Sequence, residues 1–230
     1  MFSIAVINSK GGTGKSTIST NLASYYQSKG FRTALIDFDR QASSSFWYQQ
    51  RDRSKKENIQ LIQGFDIKSN LTRDYQVTPD AGTEYCVMDF PSNIVLSDYH
   101  FLMESIDALL IPMLSSSIDI HATTKFIHLL LLQSKFNRYL KPIGVVTNKL
   151  EAKQNLMHFK AFLKTLKISY ISSLQSELIY NECFRQGKGI FDNCIENKIS
   201  ANQSWQSIIE WVIQSEQLKT RINKSKYNIP

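Results

Sequence analysis

Cysteine, proline and long apolar runs are all scarce in this sequence. Its 230 residues include five prolines and three cysteines, Cys86, Cys183 and Cys194. The cysteines form no C-x-x-C pair and no metal-ligand spacing with the four histidines, so they fit a reducing compartment, with Cys86 expected in a buried strand. The most apolar run, residues 126–132, is too short to span a bilayer, and the first residues lack the basic start and cleavage site of a signal peptide. These absences predict a cytoplasmic protein.

The charge balance is positive, with 27 basic and 20 acidic residues and a formal net charge of +7. Such an excess suits a polyanionic partner, either nucleic acid or an anionic membrane surface, although net charge alone does not distinguish these from a merely basic protein. The hydrophobic content of 42% and charged content of 20% are ordinary for a globular chain, which excludes wholesale disorder.

Short apolar runs alternate with helical patterns along most of the chain. Strands are predicted at 2–8, 32–39, 84–90, 107–113, 142–148 and 168–173, and helices at 16–30, 118–136, 152–166 and 201–222. This alternation predicts an α/β fold with a doubly wound, mostly parallel sheet flanked by helices.

The polar segment 49–82 interrupts the alternation. It carries a basic cluster at residues 51–56, and we expect it to be an excursion from the sheet that holds one short strand near 59–62. No repeat or low-complexity tract stands out. The sequence therefore predicts one domain over 1–230, which ends in a helix and basic tail at about 201–230.

The stretch NSKGGTGKST, residues 8–17, lies between the first predicted strand and the first predicted helix. That context supports a match to the phosphate-loop pattern G-x-x-x-x-G-K-[ST], although Ser9 replaces its first glycine. Glycines let successive N–H groups turn towards a phosphate, and the helix start adds a positive dipole end. Lys15 is expected to reach the β- and γ-phosphates, Ser16 to ligate Mg²⁺ and Thr17 to bond the α-phosphate. The other loop residues expected around the phosphates are Gly11, Gly12, Thr13 and Gly14. A flexible surface turn is the alternative.

The same stretch resembles the deviant Walker A motif, K-G-G-x-G-K-[ST], of the ParA/MinD family of P-loop ATPases. In that family the early lysine crosses a nucleotide-sandwich dimer and contacts phosphate in the partner's site, and the resemblance gives this role to Lys10. A cation from a second subunit stabilises the charge that develops on the transferred phosphoryl group, as an arginine finger does. The resemblance thus implies a homodimer formed with ATP. A solvated loop lysine is the alternative interpretation of Lys10.

The stretch LIDFDRQASSS, residues 35–45, resembles the family's D-x-D-P-Q switch motif. Asp37 and Asp39 alternate with one residue between them, so we expect them to share a strand face beside the phosphates. The resemblance implies that Asp39 positions or deprotonates the attacking water, and that Asp37 lies near Mg²⁺ and its waters. Arg40 replaces the usual proline, which removes a stiff turn and adds a cation near the nucleotide or the dimer face.

Two further stretches resemble family landmarks. YCVMDFPS, residues 85–92, resembles the Walker B segment, which implies that Asp89 holds Mg²⁺ through water; a turn or helix cap is its alternative role. Asn148, in the sequence TNK, is predicted to read the adenine edge because an amide side chain offers one donor and one acceptor. Glu151 occupies the position where a GTPase has aspartate, so guanine stays an alternative base, whereas the rest of the resemblance implies ATP.

The resemblance covers about 2–150 well and the remainder in outline. The cluster cysteines of a nitrogenase-type iron protein, the tyrosine-rich tail of a kinase relative and the helix-turn-helix extension of long ParA proteins are not found in this sequence. The resemblance is thus to short ParA-type partition ATPases, which implies slow Mg²⁺-dependent hydrolysis stimulated by a ParB-like or other adaptor. A scaffold that has lost nucleotide binding is disfavoured by the presence of Lys15, Asp39 and Asp89.

The last helix combines an apolar stripe with a basic end. A core-facing stripe that ends near Leu218 is predicted by Ile208, Trp211, Val212 and Ser215. The residues predicted to bind DNA follow it: Lys219, Arg221, Lys224 and Lys226. A membrane-anchoring helix needs large apolar residues opposite its lysines, and few are present, whereas sequence-independent phosphate binding needs only basic residues. We therefore expect non-specific DNA binding, nucleoid association and no membrane partner, with a MinD-like membrane ATPase as the alternative. The cargo stays open.

Overall fold

The structure is a computed structural model that describes residues 1–65, 77–133, 136–150, 156–175, 178–192 and 199–227. The chain divides into two units, Met1–Ile94 with Glu177–Asn197 and Val95–Ser176 with Lys198–Pro230. One domain over 1–230 stays a prediction.

The sequence forms strands and helices in the alternation that its pattern predicts. The strands are β1 (Phe2–Val6), β2 (Thr33–Asp37), β3 (Ile59–Gln63), β4 (Tyr85–Asp89), β5 (Ala108–Met113), β6 (Ile143–Leu150) and β7 (Ser169–Gln175). The helices are α1 (Lys15–Ser28), α2 (Ser43–Gln50), α3 (Arg53–Lys56), α4 (His100–Met103), α5 (Ser117–Gln133), α6 (Met157–Thr165), α7 (Leu178–Arg185) and α8 (Ile199–Tyr227). Every predicted strand and helix is present. The sequence did not predict α2, α3, α4 or α7.

In the first unit the four strands lie in the order β3-β2-β4-β1, and all their pairings are parallel. Every residue of β1, β2 and β4 is buried, which agrees with the continuous apolar runs that a parallel sheet covered on both faces requires. Cys86 is buried in β4, as predicted. The register pairs Asp37 with Asp89, and Val6 also pairs with Asp89, so the carboxyl ends of three strands meet at one edge. The segments that follow these strands therefore share that edge.

Segment 49–82 was predicted to be an excursion from the sheet that holds one short strand near 59–62. The strand is confirmed as β3, whereas its exclusion from the sheet is wrong. β3 pairs in parallel with β2 and forms the edge strand. Arg51, a member of the basic cluster, is buried, and its guanidinium forms a bidentate ion pair with Asp192, with N···O distances of 2.6 and 3.1 Å. Residues 66–76 lie outside the described residues.

In the second unit β5, β6 and β7 lie side by side and pair in parallel. α8 packs against β7, and its predicted stripe is buried from Ile208 to Ser215. Leu218 is 39% exposed, so the stripe ends one turn earlier than predicted. None of the helices in the described ranges has the length and hydropathy needed to cross a membrane.

Candidate nucleotide-binding site

The loop that joins β1 to α1 has a backbone that only glycine adopts readily. Gly12 and Gly14 have φ angles of +74° and +92°, in the left-handed region that disfavours side chains with a Cβ. Gly14 is the N-cap residue of α1, and because glycine has no side chain, no side-chain hydrogen bond caps the helix there. The N–H groups of the first turn of α1 are therefore available to an anion.

Lys15 is buried at the start of α1, and its Nζ donates a hydrogen bond to the carbonyl oxygen of Lys10, 3.2 Å away. Burial lowers the pKa of this lysine, while the negative charges of Asp89 and Asp39 oppose that change. The Thr13 hydroxyl donates to the same carbonyl at 3.4 Å. A phosphate that enters the loop would give the buried ammonium a full negative charge in place of a carbonyl dipole, which favours binding.

Lys10 has its backbone held inside this loop. Its N–H donates to Asn8 Oδ1 at 3.1 Å, and Asn8 itself is buried after β1. The residue is half-buried. The loop after β4 joins the same arrangement because the N–H of Asn93 donates to the Ser9 carbonyl at 2.9 Å. A role for Lys10 in a partner's site stays a prediction.

Asp37 is fully buried, and both of its oxygens accept hydrogen bonds. Oδ2 accepts from the N–H and the hydroxyl of Ser45, each at 2.8 Å, and Oδ1 accepts from the N–H of Asp39 at 3.1 Å. Burial raises the pKa of Asp37 in spite of the two hydrogen bonds from Ser45. The carboxylate therefore positions the start of α2.

The expectation that Asp39 shares a strand face with Asp37 is wrong. β2 ends at Asp37, where its ladder with β4 ends, and Asp39 lies in the turn that follows. There Asp39 Oδ1 accepts from the Gln41 N–H at 3.0 Å, and its carbonyl accepts from Ala42. Asp39 is half-buried, in contrast to Asp37, and Arg40 is exposed beside it. Of these two acids, Asp39 is the one that a water molecule can reach.

Asp89 is a fully buried carboxylate whose two oxygens differ. Oδ2 accepts from the Ser44 hydroxyl at 2.7 Å, while Oδ1 has no hydrogen-bond partner among the described residues. Burial raises the pKa of Asp89 to about 7. The hydroxyls of Ser44 and Ser16 and the charge of Lys15 oppose that rise, and Asp37 adds to it.

These residues fit Mg²⁺ bound together with phosphate. The described residues contain no group of three or more His, Cys, Asp or Glu side chains that could hold a metal by themselves. Mg²⁺ in nucleotide sites takes one or two protein ligands and completes its shell with water and phosphate oxygens. The buried, unpartnered Oδ1 of Asp89 and the nearby Ser16 hydroxyl provide such a pair. Asp37 is the weaker candidate because its oxygens already accept hydrogen bonds.

The sequence did not predict the contacts of two serines with the acidic residues of the candidate site. Ser44 and Ser45 open α2 and donate to Asp89 and Asp37 respectively. The available signal was the run of three serines directly after the switch motif, since a hydroxyl run is not expected to be buried unless acceptors lie nearby.

Asn148 and the basic residues of α8 belong to the second unit. Asn148 is buried in β6, and its Oδ1 accepts from the Lys149 N–H at 2.9 Å. Lys219 donates to Asp107 at 2.7 Å, so a carboxylate already compensates its charge. Arg221 and Lys224 are exposed, and the side chain of Lys226 lies outside the described residues. Adenine reading by Asn148 and DNA binding by the four basic residues stay predictions.

Residues 4–186 match the sequence profile described as the CobQ/CobB/MinD/ParA nucleotide binding domain. The chain belongs to this family. The predicted resemblance to the ParA/MinD ATPases is thereby confirmed, and the phosphate loop, Asp37, Asp39 and Asp89 all lie within the matched residues.

Individual members of the ParA/MinD family resemble the chain over most of its length. The "Maintenance of carboxysome distribution protein A" of Halothiobacillus neapolitanus is 26% identical over 204 residues, which are 88% of this chain and 92% of that relative. A putative plasmid partition protein from Borrelia burgdorferi, bound to AMPPNP, has a TM-score of 0.68 at 17% identity and covers 93% of this chain and 98% of its own. The septum site-determining protein MinD of Pyrococcus horikoshii, complexed with Mg-ADP, has a TM-score of 0.66 at 15% identity over 95% of this chain and 98% of its own. These likenesses confirm the doubly wound α/β fold.

Proposed function

We propose that this chain is a ParA-type positioning ATPase that binds ATP with Mg²⁺, dimerises around the nucleotide and hydrolyses it slowly. The main support for the proposal is the arrangement of charged residues at the edge of the first unit's sheet. The buried Lys15 follows the glycine loop, and the negative charges of Asp89 and Asp39 act on it. One oxygen of Asp89 has no hydrogen-bond partner among the described residues. Relatives solved with AMPPNP and with Mg-ADP support ATP and Mg²⁺ as the ligands.

Binding follows from the polar groups of the loop. The Lys15 ammonium exchanges its bond to the Lys10 carbonyl for phosphate oxygens, and the N–H groups of the α1 start donate to the same phosphates. Ser16 and Asp89 are the residues that would hold Mg²⁺, with Thr17 at the α-phosphate. Mg²⁺, when bound, neutralises charge on the phosphates and their developing products. Asn148 is proposed to contact the adenine edge.

Hydrolysis requires a group that orients the attacking water and a cation that stabilises the negative charge developing on the transferred phosphoryl group. Asp39 is half-buried in a turn, so its carboxylate can orient the attacking water. Lys10 of a second protomer would supply the cation, and hydrolysis would then depend on dimerisation. A ParB-like or other adaptor is proposed to stimulate this step.

The cargo is proposed to be positioned on the nucleoid. Arg221, Lys224 and Lys226, with Lys219 as a weaker member, would bind DNA phosphates without sequence preference once dimerisation doubles their number. The name of the Halothiobacillus relative supports a protein assembly such as a carboxysome as cargo, whereas the Borrelia title supports a plasmid.

A MinD-like membrane ATPase is the second candidate. It is favoured by Ile213 and Leu218, which are 43% and 39% exposed on α8 near its basic end. Among the described side chains of α8, these two give a smaller apolar face than a membrane-binding helix requires, so DNA stays the preferred partner.

The test compares nucleotide binding and turnover in three variants. Lys15→Ala should lose ATP binding by at least about a hundredfold, because a charged phosphate contact is removed. Asp39→Ala should bind ATP as the wild type does but hydrolyse it at least about a hundredfold more slowly, since only the water-orienting group is lost. Lys10→Ala should bind ATP yet fail to form dimers in light scattering.

Each outcome bears on one role. Normal turnover by Asp39→Ala would contradict the water-orienting role of that residue. An Asp39→Ala protein that stays monomeric at saturating ATP would contradict the dimer and the role of Lys10. ATP binding by Lys15→Ala with wild-type affinity would contradict the site as a whole.

A further inference from the structure

The middle of the second unit's sequence is almost free of acidic residues. From 120 to 176 there are nine lysines and arginines and a single acid, Glu151. The basic residues that were predicted to bind DNA all lie elsewhere, beyond residue 218. This excess is therefore separate from the basic tail.

An apolar groove opens on this basic region. Its volume is about 410 Å³, and its apolar lining comes from the end of α5, the residues before β6 and the residue after α6: Leu131, Leu132, Phe136, Tyr139 and Leu166. Leu132 is 82% exposed and Tyr139 69% exposed. Large side chains exposed together beside a groove are typical of a surface that binds another molecule. The groove lies at the amino ends of β6 and β7, whereas Asn148 lies near the carboxyl end of β6.

Cations surround the aromatic side of the groove. The Arg138 guanidinium lies 5.1 Å from the centre of the Tyr139 ring and donates to the Tyr139 hydroxyl at 3.2 Å. The Lys167 ammonium lies 5.8 Å from the same ring centre. Both charges lower the pKa of the Tyr139 phenol, Arg138 more strongly. Apolar anchors and positive charge thus stand side by side.

We propose that this groove docks an acidic, amphipathic helical segment of a partner protein. Leucine or phenylalanine side chains on one face of the segment fill the groove beside Leu132 and Tyr139, and its aspartates or glutamates meet Arg138 and Lys167. DNA would use the charges but has no side chains that would fill an apolar groove, so the exposed leucine favours a protein. The proposal does not depend on ATP hydrolysis.

The experiment uses the nucleotide-free full chain and a display library of peptides of about 16 residues, which is about four helical turns. Selected peptides should be acidic, with apolar residues three and four positions apart. The tightest peptide is then measured by fluorescence anisotropy, and a short random-sequence DNA duplex is measured in parallel. Circular dichroism and thermal unfolding check the fold of each variant.

Three substitutions decide the result. Leu132→Asp should weaken the peptide by about tenfold or more, because it removes an anchor and repels acids. Arg138→Glu should weaken it by a smaller factor and reduce its dependence on salt. Ile118→Asp is the matched control, since Ile118 is 74% exposed on the same helix at its other end, and it should leave affinity unchanged.

Neutral or basic selected peptides, or equal losses for Ile118→Asp and Leu132→Asp, would overturn the proposal. Duplex DNA that binds through Arg138 and is indifferent to Leu132→Asp, with no peptide selected, would assign the surface to nucleic acid instead.

Discussion

Polar side chains are used in opposite ways at the nucleotide edge of the first unit and at the end of α8 in the second. At the nucleotide edge Lys15, Asp37 and Asp89 are buried, and serines of α2 donate to both carboxylates. At the end of α8 Arg221 and Lys224 are exposed. Burial makes a polar group costly unless it has partners, so the first region permits few residue types and one geometry. The exposed side chains of the second region carry no such constraint from burial.

The nucleotide edge is also a source of instability in the protein without ligand. Asp89 is desolvated and one of its oxygens has no hydrogen-bond partner among the described residues, so its ionised form is disfavoured until a cation arrives. At the end of α8, the side chains of Arg221 and Lys224 are exposed and have no comparable penalty. Substitutions should therefore change folding stability strongly in the first unit and weakly at the end of α8.

The largest effect on stability is expected for Asp192→Ala in the first unit. Arg51 would be left as a buried, unpaired cation, which costs about 3–5 kcal/mol of unfolding free energy in comparable pairs. Urea denaturation at neutral pH measures it. Glu57→Ala is the control, because Glu57 is exposed, and it should change stability by less than about 0.5 kcal/mol.

The effect of Asp192→Ala should depend on pH. Burial acts to raise the pKa of Asp192, but the hydrogen bonds from Arg51 and Gly189 hold it below its usual value. A carboxyl with a lowered pKa stabilises the fold above its unfolded pKa of about 3.9, and this contribution is lost as the pH falls through the folded pKa. The difference between wild type and variant should shrink on acidification. A constant difference would contradict the ion pair as its cause.

The second effect has the opposite sign, since Asp89→Asn should stabilise the ligand-free protein by up to about 4 kcal/mol at pH 8, which is the linkage value for a carboxyl whose pKa rises to about 7 on folding. Burial raises the folded pKa of Asp89 to about 7, so the unfolded chain ionises first and stability falls as the pH rises from about 4 to 7. Asparagine has no charge to desolvate and removes this loss. The gain should therefore vanish near pH 4.

Thermal unfolding across pH measures the effect of Asp89→Asn, with Glu57→Gln as the exposed control. The same variant should lose Mg²⁺-dependent strengthening of nucleotide binding, which separates the site's function from its stability. Equal destabilisation at every pH would show instead that the carboxylate is a structural acceptor for Ser44.

The sequence predicted the nucleotide edge well because its determinants are local. Apolar runs give β1, β2 and β4, and glycines and lysines directly after β1 give the loop. The position of Asp39 was missed because a strand ends where its ladder ends, and the pairing of Asp37 with Asp89 is not visible in the segment itself.

Residues with distant partners could not be predicted from local patterns. Arg51 lies in a polar segment, and its partner Asp192 is 141 positions away. The groove beside Leu132 was missed because exposed leucines at the end of an apolar helix look like core positions in a periodicity argument. α2 was not predicted because its buried serines donate hydrogen bonds to carboxylates on two different strands, and these partners are not visible in the sequence of the helix itself.

The smallest effect on stability is expected at the end of α8. The combined charge reversals Arg221→Glu, Lys224→Glu and Lys226→Glu should change the unfolding free energy by less than about 0.5 kcal/mol, since the described side chains among them are exposed. The same reversals should weaken DNA binding by the ATP-bound protein. They should also flatten its salt dependence, because binding releases fewer counterions when fewer phosphates are neutralised. Mobility shifts with unrelated duplexes, at several salt concentrations and with ATP or ADP, measure both.

A second triple reversal, Lys29→Glu, Arg53→Glu and Arg185→Glu, lowers the net charge by the same amount at exposed positions of the first unit. If the end of α8 contacts DNA, only its own reversals should flatten the salt slope, whereas an effect of net charge alone would appear equally in both proteins. Equal weakening would therefore remove the tail as a binding face. Binding to anionic vesicles that ATP promotes, without DNA binding, would transfer the role of this helix end to a membrane and favour the MinD-like alternative.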